Sequence, residues 1–278
     1  MKRKFGSEVF AKNREEEGDG SMIPKIIHYC WVGGNPYPDS IKSCMESWHE
    51  HLDDYAFMRW DEETFDVNSN QYVKEAYQAK KWAFVSDYVR LWALYNYGGI
   101  YLDSDVRVFK SLDRFLEHGF FSGYENRKDI RFIPTGTMGG KKGNSFIKAL
   151  LDDYDDRVFI KKDGTLDLTT NVVSITKKAK ELYGFVGNGE YQILGDDTHI
   201  YPYDFFSGYT GEGKCGDKDC YNITDNTYTI HEFAGSWVSN VEREGNFFIR
   251  KITKNGIKKT KVLGITVKKE IVKSWETD

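Results

Sequence analysis

No stretch of the 278 residues approaches the run of about 20 apolar residues that a bilayer-spanning helix needs, and no secretory signal pattern opens the chain. Cysteine is scarce. Four in the whole sequence do not make a disulfide scaffold. Cys215 and Cys220 sit in a Gly/Asp/Lys-rich loop, but their C-x4-C spacing lacks a second ligand pair, which favours free thiols over a zinc site. The formal net charge of −4 gives no electrostatic footprint for nucleic acid. There is no internal repeat. These absences lead us to expect a cytoplasmic protein that neither spans a membrane nor binds nucleic acid.

What is present is ordinary in bulk, with 40% hydrophobic and 29% charged residues, and the length suits one sizeable α/β domain or two small ones. Aromatics are more abundant. With 7 Trp, 18 Tyr and 18 Phe they reach 15%. Flat rings suit stacking on bases and sugars, although most will fill core.

Residues 1–21 are polar and end in an acidic, Gly-rich stretch before Met22, so they are expected to be a leader or tag outside the fold. From Ile23 the pattern alternates. Residues 26–32 form a short β-rich run closed by Gly33-Gly34-Asn35-Pro36. A helical period follows over 40–50, a strand over 55–60 and two helices over 71–97, the second with Trp82, Val85, Val89 and Trp92 on one face. Gly98-Gly99 stops that helix, and Ile100-Tyr101-Leu102 begins another strand. Further helices are expected over 144–156 and 170–183, and strands over 191–194, 199–201 and 228–230. Such alternation predicts an α/β domain over 22–238 with a mainly parallel sheet covered on both faces. Its ligands should lie beyond the C-terminal strand ends. Residues 239–278 are set apart by composition: nine Lys/Arg against one acidic residue between 245 and 273.

The chemistry centres on Tyr101-Leu102-Asp103-Ser104-Asp105. Residues two apart on a strand face the same way, so both carboxylates can reach one cation; they sit where the strand should run out into a loop, with Asp105 expected to be a solvent-facing charge. Paired carboxylates repel unless a cation lies between them, and hard oxygen ligands suit Mg²⁺ or Mn²⁺. A lone D-x-D is common in surface loops. Here it follows a helix in which Asp87 and Arg90 stand three apart, either as a surface ion pair or as the border of the same cleft. His28 points inward by strand alternation and is expected to be a satisfied core histidine.

The ordered series S-D-x-x-R, G-G-x-Y and D-x-D over 86–105 resembles the DXD-containing sugar transferases of glycosyltransferase family 32, distantly similar to the glucosylating domains of clostridial toxins. Ile27-His28 through Trp31 to Gly33-Gly34, Trp60-Asp61, and His231 through Ser236-Trp237 resemble its other signature elements in order. The resemblance implies a GT-A fold and a UDP-sugar donor. It implies Trp31 stacking the uracil beside the Cys30 backbone, Asp87 and Arg90 holding sugar or ribose, and Tyr101 touching the nucleotide. Asp103 and Asp105 would bind the metal, His231 (or its rival Glu232) would complete the shell, and Ser236 and Trp237 would hold the diphosphate. An Asn that relatives often carry after the D-x-D is absent; Thr135 and glycines occupy that region.

The function implied is transfer of a sugar to a glycan or lipid-linked acceptor, with retention, in surface polysaccharide (capsule) synthesis. Two alternatives stay open: a metal-dependent nucleotidyl or phosphoryl transferase, and a non-catalytic nucleotide-sugar-binding protein. For the basic segment 239–278 the choice lies between peripheral contact with the inner membrane face and a hairpin turned at Asn255-Gly256.

Overall fold

Strand alternation divides the apolar residues of the chain between two cores, one on each face of a central sheet. In the computed structural model, which describes residues 21–127, 130–208 and 221–233, Ile100 and Leu102 face a core containing Ile27, Trp48 and Phe121. Tyr101, between them, faces the other core, with Val85, Val89 and Met138. The period of two therefore decides which helix each strand residue meets.

The sheet has seven strands. β1 (Ile26–Cys30) is flanked by β2 (Ala56–Trp60) and β3 (Gly99–Leu102), both parallel to it. β4 (Val106–Val108) leaves the sheet and pairs later with β11 (Thr229–His231). β5 (Phe120–Gly123) joins β3 through the antiparallel β8 (Thr137–Gly140). β6 (Glu125–Arg127) and β7 (Ile130–Phe132) form a separate hairpin. β9 (Gln192–Leu194) closes the edge beyond β10 (Thr198–Tyr201). The order is β2-β1-β3-β8-β5-β10-β9, in which only β8 and β9 run against the rest. This is the mainly parallel α/β layout expected of a GT-A fold.

The α-helices among the described residues are α1 (Asp39–His51), α2 (Gln71–Gln78), α3 (Trp82–Tyr97), α4 (Ser145–Asp152), α5 (Asn171–Tyr183) and the short α6 (Tyr203–Phe206). Asn70 caps α2 by accepting from the Tyr72 and Val73 amides, and Asn144 caps α4 at the Ile147 amide. α3 matters most for the site. Gly98, at φ 66°, ends it and turns the chain directly into β3. Behind that turn lies His28, fully buried as expected. Trp60 Nε1 donates to its Nδ1 at 3.2 Å, and its Nε2 donates to the Gly98 carbonyl at 2.7 Å. Burial lowers its pKa to about 4, so the ring is a neutral strut.

The described residues belong to one compact unit. The leader through residue 20, Cys215, Cys220, Ser236, Trp237 and the basic segment lie outside the described residues. Among the described residues no helix is long and apolar enough to cross a membrane.

Candidate functional site

The two carboxylates of the D-x-D do converge, but a turn brings them together. β3 ends at Leu102, and the Val106 amide closes back onto the Asp103 carbonyl at 2.9 Å. The motif lies where the strand runs out, and the turn holds the two carboxylates on one side. Asp105 is not the solvent-facing charge expected, for it is only 8% exposed. The neighbouring Asp103 amide donates to the Gly136 carbonyl at 2.8 Å, tying the turn to the loop ahead of β8.

His231 reaches this turn because β11 pairs antiparallel with β4, placing His231 opposite Val106. The Glu232 amide donates to the Asp105 carbonyl at 2.9 Å and fixes the register. His231 Nε2 then lies 3.1 Å from Asp105 Oδ1 and 3.9 Å from Asp103 Oδ2, and its ring stacks on Phe233. Burial alone would lower the imidazole pKa, but Asp105, Asp103 and the buried Glu125 outweigh it and raise it to about 9. Between His231 and Glu232 the geometry is one-sided. The Glu232 carboxylate accepts from Arg107 Nε at 2.8 Å, and Arg107 also reaches Ser43 on α1.

One ligand atom from each of Asp103, Asp105 and His231 lies within 4.8 Å of the others, a hard two-oxygen, one-nitrogen set that fits Mn²⁺ or Mg²⁺. Gly136 guards the approach. A Cβ there would stand 3.0 Å from His231 Nδ1 and 3.2 Å from Asp103 Oδ2. Displacing groups that orient metal ligands commonly costs 10–100-fold in affinity. Gly136→Ala is therefore expected to raise the Mn²⁺ concentration for half-maximal activity roughly tenfold, read from a metal titration of turnover.

Behind the carboxylates lies Arg90, buried with Asp87. They are therefore not an exposed surface ion pair. Arg90 Nη2 stands 3.2 Å from both Asp87 Oδ1 and Asp103 Oδ1, and Nη1 donates to the Thr135 carbonyl and hydroxyl at 2.7 and 2.8 Å. Nε donates to the Ser86 carbonyl, and the guanidinium lies over the Tyr101 ring. Asp87 Oδ2 accepts from the Asn171 amide at 3.0 Å, where α5 begins. Burial opposes the Arg90 charge, yet Asp103, Tyr101 and Asp87 hold its pKa above the ordinary value. The donor-sugar role that the resemblance implies for Asp87 and Arg90 thus falls on atoms that hold protein groups here. Tyr101 is buried and its hydroxyl donates to Asp103 Oδ1 at 3.1 Å, so Asp103 spends that oxygen on Arg90 and Tyr101.

Trp31 and Cys30 lie at the end of β1. Burial pushes the Cys30 thiol up to about 12, leaving its backbone as the group of interest. Trp31 is half-buried, packs against Tyr37 at 4.7 Å between ring centres, and donates from Nε1 to the Asn35 carbonyl. It lines a cleft of about 300 Å³ with Tyr37, Arg59, Asp61 and Glu62. β1 and β3 are parallel, so Trp31 and the D-x-D leave the sheet at the same end. Sequence reasoning missed Asn171, Glu125 and the Arg90-binding role of Thr135; each acts through contacts between distant segments, and no local pattern marks them.

Residues 38–121 match the family model described as glycosyltransferase sugar-binding region containing DXD motif. The chain carries that glycosyltransferase region. An uncharacterized glycosyltransferase of Acanthamoeba polyphaga mimivirus is 27% identical over 248 residues, covering 83% of this chain and 90% of that protein. Inositol phosphoceramide mannosyltransferase 3 of Schizosaccharomyces pombe is 31% identical over 135 residues, 46% of this chain and 36% of its own length. This chain therefore spans about a third of the yeast enzyme it matches. A solved glycosyltransferase involved in glycosylation of the major capsid of PBCV-1 is similar at a TM-score of 0.46 and 13% identity, over 81% of this chain and 100% of that one. The enzyme class is glycosyl transfer.

Proposed function

We propose that this glycosyltransferase is metal-dependent and moves a sugar, with retention of anomeric configuration, from a UDP-sugar to a glycan or lipid-linked acceptor in surface polysaccharide synthesis. The observation that carries the reading is the convergence of Asp103, Asp105 and His231 at the C-terminal end of β3, with Arg90 buried behind them. Asp103 Oδ2, Asp105 and His231 would hold Mn²⁺ or Mg²⁺. A divalent ion there supplies neutralisation of the charge that builds on a departing nucleoside diphosphate. Arg90 and Tyr101 keep Asp103 Oδ1 occupied, so the carboxylate presents its other oxygen in a fixed direction. Attack by the acceptor hydroxyl from the leaving-group side, with the departing phosphate oxygen taking the proton, requires no protein base. Ser236 and Trp237 are the proposed diphosphate contacts, and residues 239–278 a peripheral contact at the cytoplasmic membrane face.

The nucleotidyl-transferase alternative calls for further acidic ligands around a second metal. Glu232, the nearest candidate in sequence, is taken by Arg107. The deciding experiment is a panel of UDP- and GDP-sugars, including a mannosyl donor in view of the yeast relative, scored for slow Mn²⁺-dependent hydrolysis. Release of a nucleoside diphosphate from one donor, absent in EDTA, is the expected result. Pyrophosphate release, or UDP binding with no turnover of any donor, would overturn the reading.

The base-stacking role of Trp31 has its own measurement. Stacking of a base on an aromatic ring is worth roughly 1–3 kcal/mol, so Trp31→Ala is expected to weaken UDP binding about tenfold to a hundredfold, with Trp31→Phe recovering much of it. Calorimetry giving equal affinities for the alanine variant and the wild type would return Trp31 to a packing role.

A further inference from the structure

At the other end of the sheet, three metal-ligating side chains meet that the transfer reaction does not use. His118 ends the turn before β5, and Asp197 and His199 lie at the start of β10, the strand paired parallel with β5. One ligand atom from each lies within 4.8 Å of the others. The two imidazoles stack at 3.7 Å between centres and 13° between planes. Two imidazolium rings would repel at that distance, so at least one ring is neutral and has a nitrogen lone pair.

Each of the three groups is also held from behind. Tyr191 Oη lies 2.6 Å from His199 Nδ1, leaving Nε2 turned to Asp197 Oδ1 at 2.7 Å. Tyr201 Oη lies 2.8 Å from His118 Nε2, leaving Nδ1 for a ligand. The Gly119 amide donates to Asp197 Oδ2 at 2.6 Å, leaving Oδ1. Orientation of a ligand's second polar atom by an oxygen or amide partner is a regular feature of protein metal sites. The tyrosine hydroxyls suit either tautomer, accepting from the imidazole once its other nitrogen is metallated.

We propose that His118, Asp197 and His199 form a second cation site, which takes a borderline transition-metal ion such as Zn²⁺ and clasps the start of β5 to the start of β10. A two-nitrogen, one-oxygen set prefers such an ion over the hard cations that suit Asp103 and Asp105. Occupation requires Asp197 and His199 to part by several tenths of an ångström and the His118 ring to tilt out of the stack, because two metal–ligand bonds of about 2.0–2.1 Å at a tetrahedral angle hold their ligand atoms about 3.3 Å apart, wider than the 2.7 Å contact. Asp197 is exposed and has room to move. The N-terminal strand ends lie opposite the end that bears the D-x-D, so the role is structural.

The test uses the full chain with Asp105→Asn and His231→Gln to silence the first site, and Cys215→Ser and Cys220→Ser to remove thiols. Equilibrium dialysis against Zn²⁺ should give one ion per chain, and the melting temperature should rise with Zn²⁺ concentration. Adding His118→Gln or Asp197→Asn, both at positions that are not fully buried, should weaken binding at least tenfold and remove the melting shift, with the circular dichroism unchanged. Failure of the parent to bind Zn²⁺, or equal binding after both substitutions, overturns the proposal. Sugar transfer by His118→Gln in an otherwise wild-type chain should be unaffected; a fall in transfer would overturn the structural role.

Discussion

Asp105→Asn is expected to lower sugar transfer by roughly a hundredfold to a thousandfold while the protein still unfolds cooperatively near the wild-type temperature. Losing one group that stabilises developing charge in a water-poor site typically has an effect of that size. Asparagine is the right probe because Asp105 is almost fully buried and its Oδ1 faces His231 Nε2. Alanine would remove volume as well as charge and strand the imidazole. The amide keeps the shape and can still hydrogen-bond the ring, so what it removes is the anionic oxygen. Wild-type enzyme treated with EDTA should be as inactive as Asp105→Asn and should recover with Mn²⁺, whereas the variant should not recover at any Mn²⁺ concentration that leaves the wild type saturated. Turnover by the variant within tenfold of wild type, or full wild-type activity in excess EDTA, would take Asp105 and its cation out of the reaction.

The elements around this site were legible where local chemistry determines them. α1, α2, α3, β1, β2 and β3 lie close to their expected positions because a hydrophobic period or a Gly-Gly stop marks each one. β5 and β8, in the middle of the sheet, carry no strand pattern of their own. β5 is a four-residue run beginning just after Gly119, and β8 ends in Gly139-Gly140, which no strand pattern favours. Their reason is tertiary: a Cβ on Gly139 would stand 2.3 Å from the Phe121 ring, and one on Gly140 2.5 Å from Ile147. Those glycines let neighbouring side chains close over the sheet. The site shows the same division. Asp103, Asp105 and His231 stand out as residue types in an ordered series, and their meeting depends on the β4–β11 pairing. The three-residue β4 carries no signal of its own.

Arg90→Met is expected to destabilise the protein by about 3–5 kcal/mol, because breaking a buried ion pair from one side leaves the other charge without compensation. Two carboxylates lose their partner at once. Asp87 is nine-tenths buried, and its remaining hydrogen bond in the ion-pair cluster comes from the Asn171 amide; Asp103 keeps only Tyr101 on that oxygen. The Thr135 carbonyl and hydroxyl, which accept from Nη1, would be left facing a thioether. Urea unfolding should show a lower midpoint with an unchanged slope, the mark of lost stability rather than of a changed denatured state. Arg90→Lys separates charge from shape. Its ammonium is a compact point charge without the planar fork, so it can meet Asp87 or Asp103 but not also the Thr135 pair and the Ser86 carbonyl. It should regain part of the stability while transfer remains low, since Asp103 is then no longer held in direction. If Arg90→Met were as stable as wild type and merely bound the donor more weakly, the guanidinium would be a substrate contact. Equal and severe losses of stability and activity in Arg90→Met, with stability alone partly restored by lysine, would mark Arg90 as the buried support on which Asp103 is aimed.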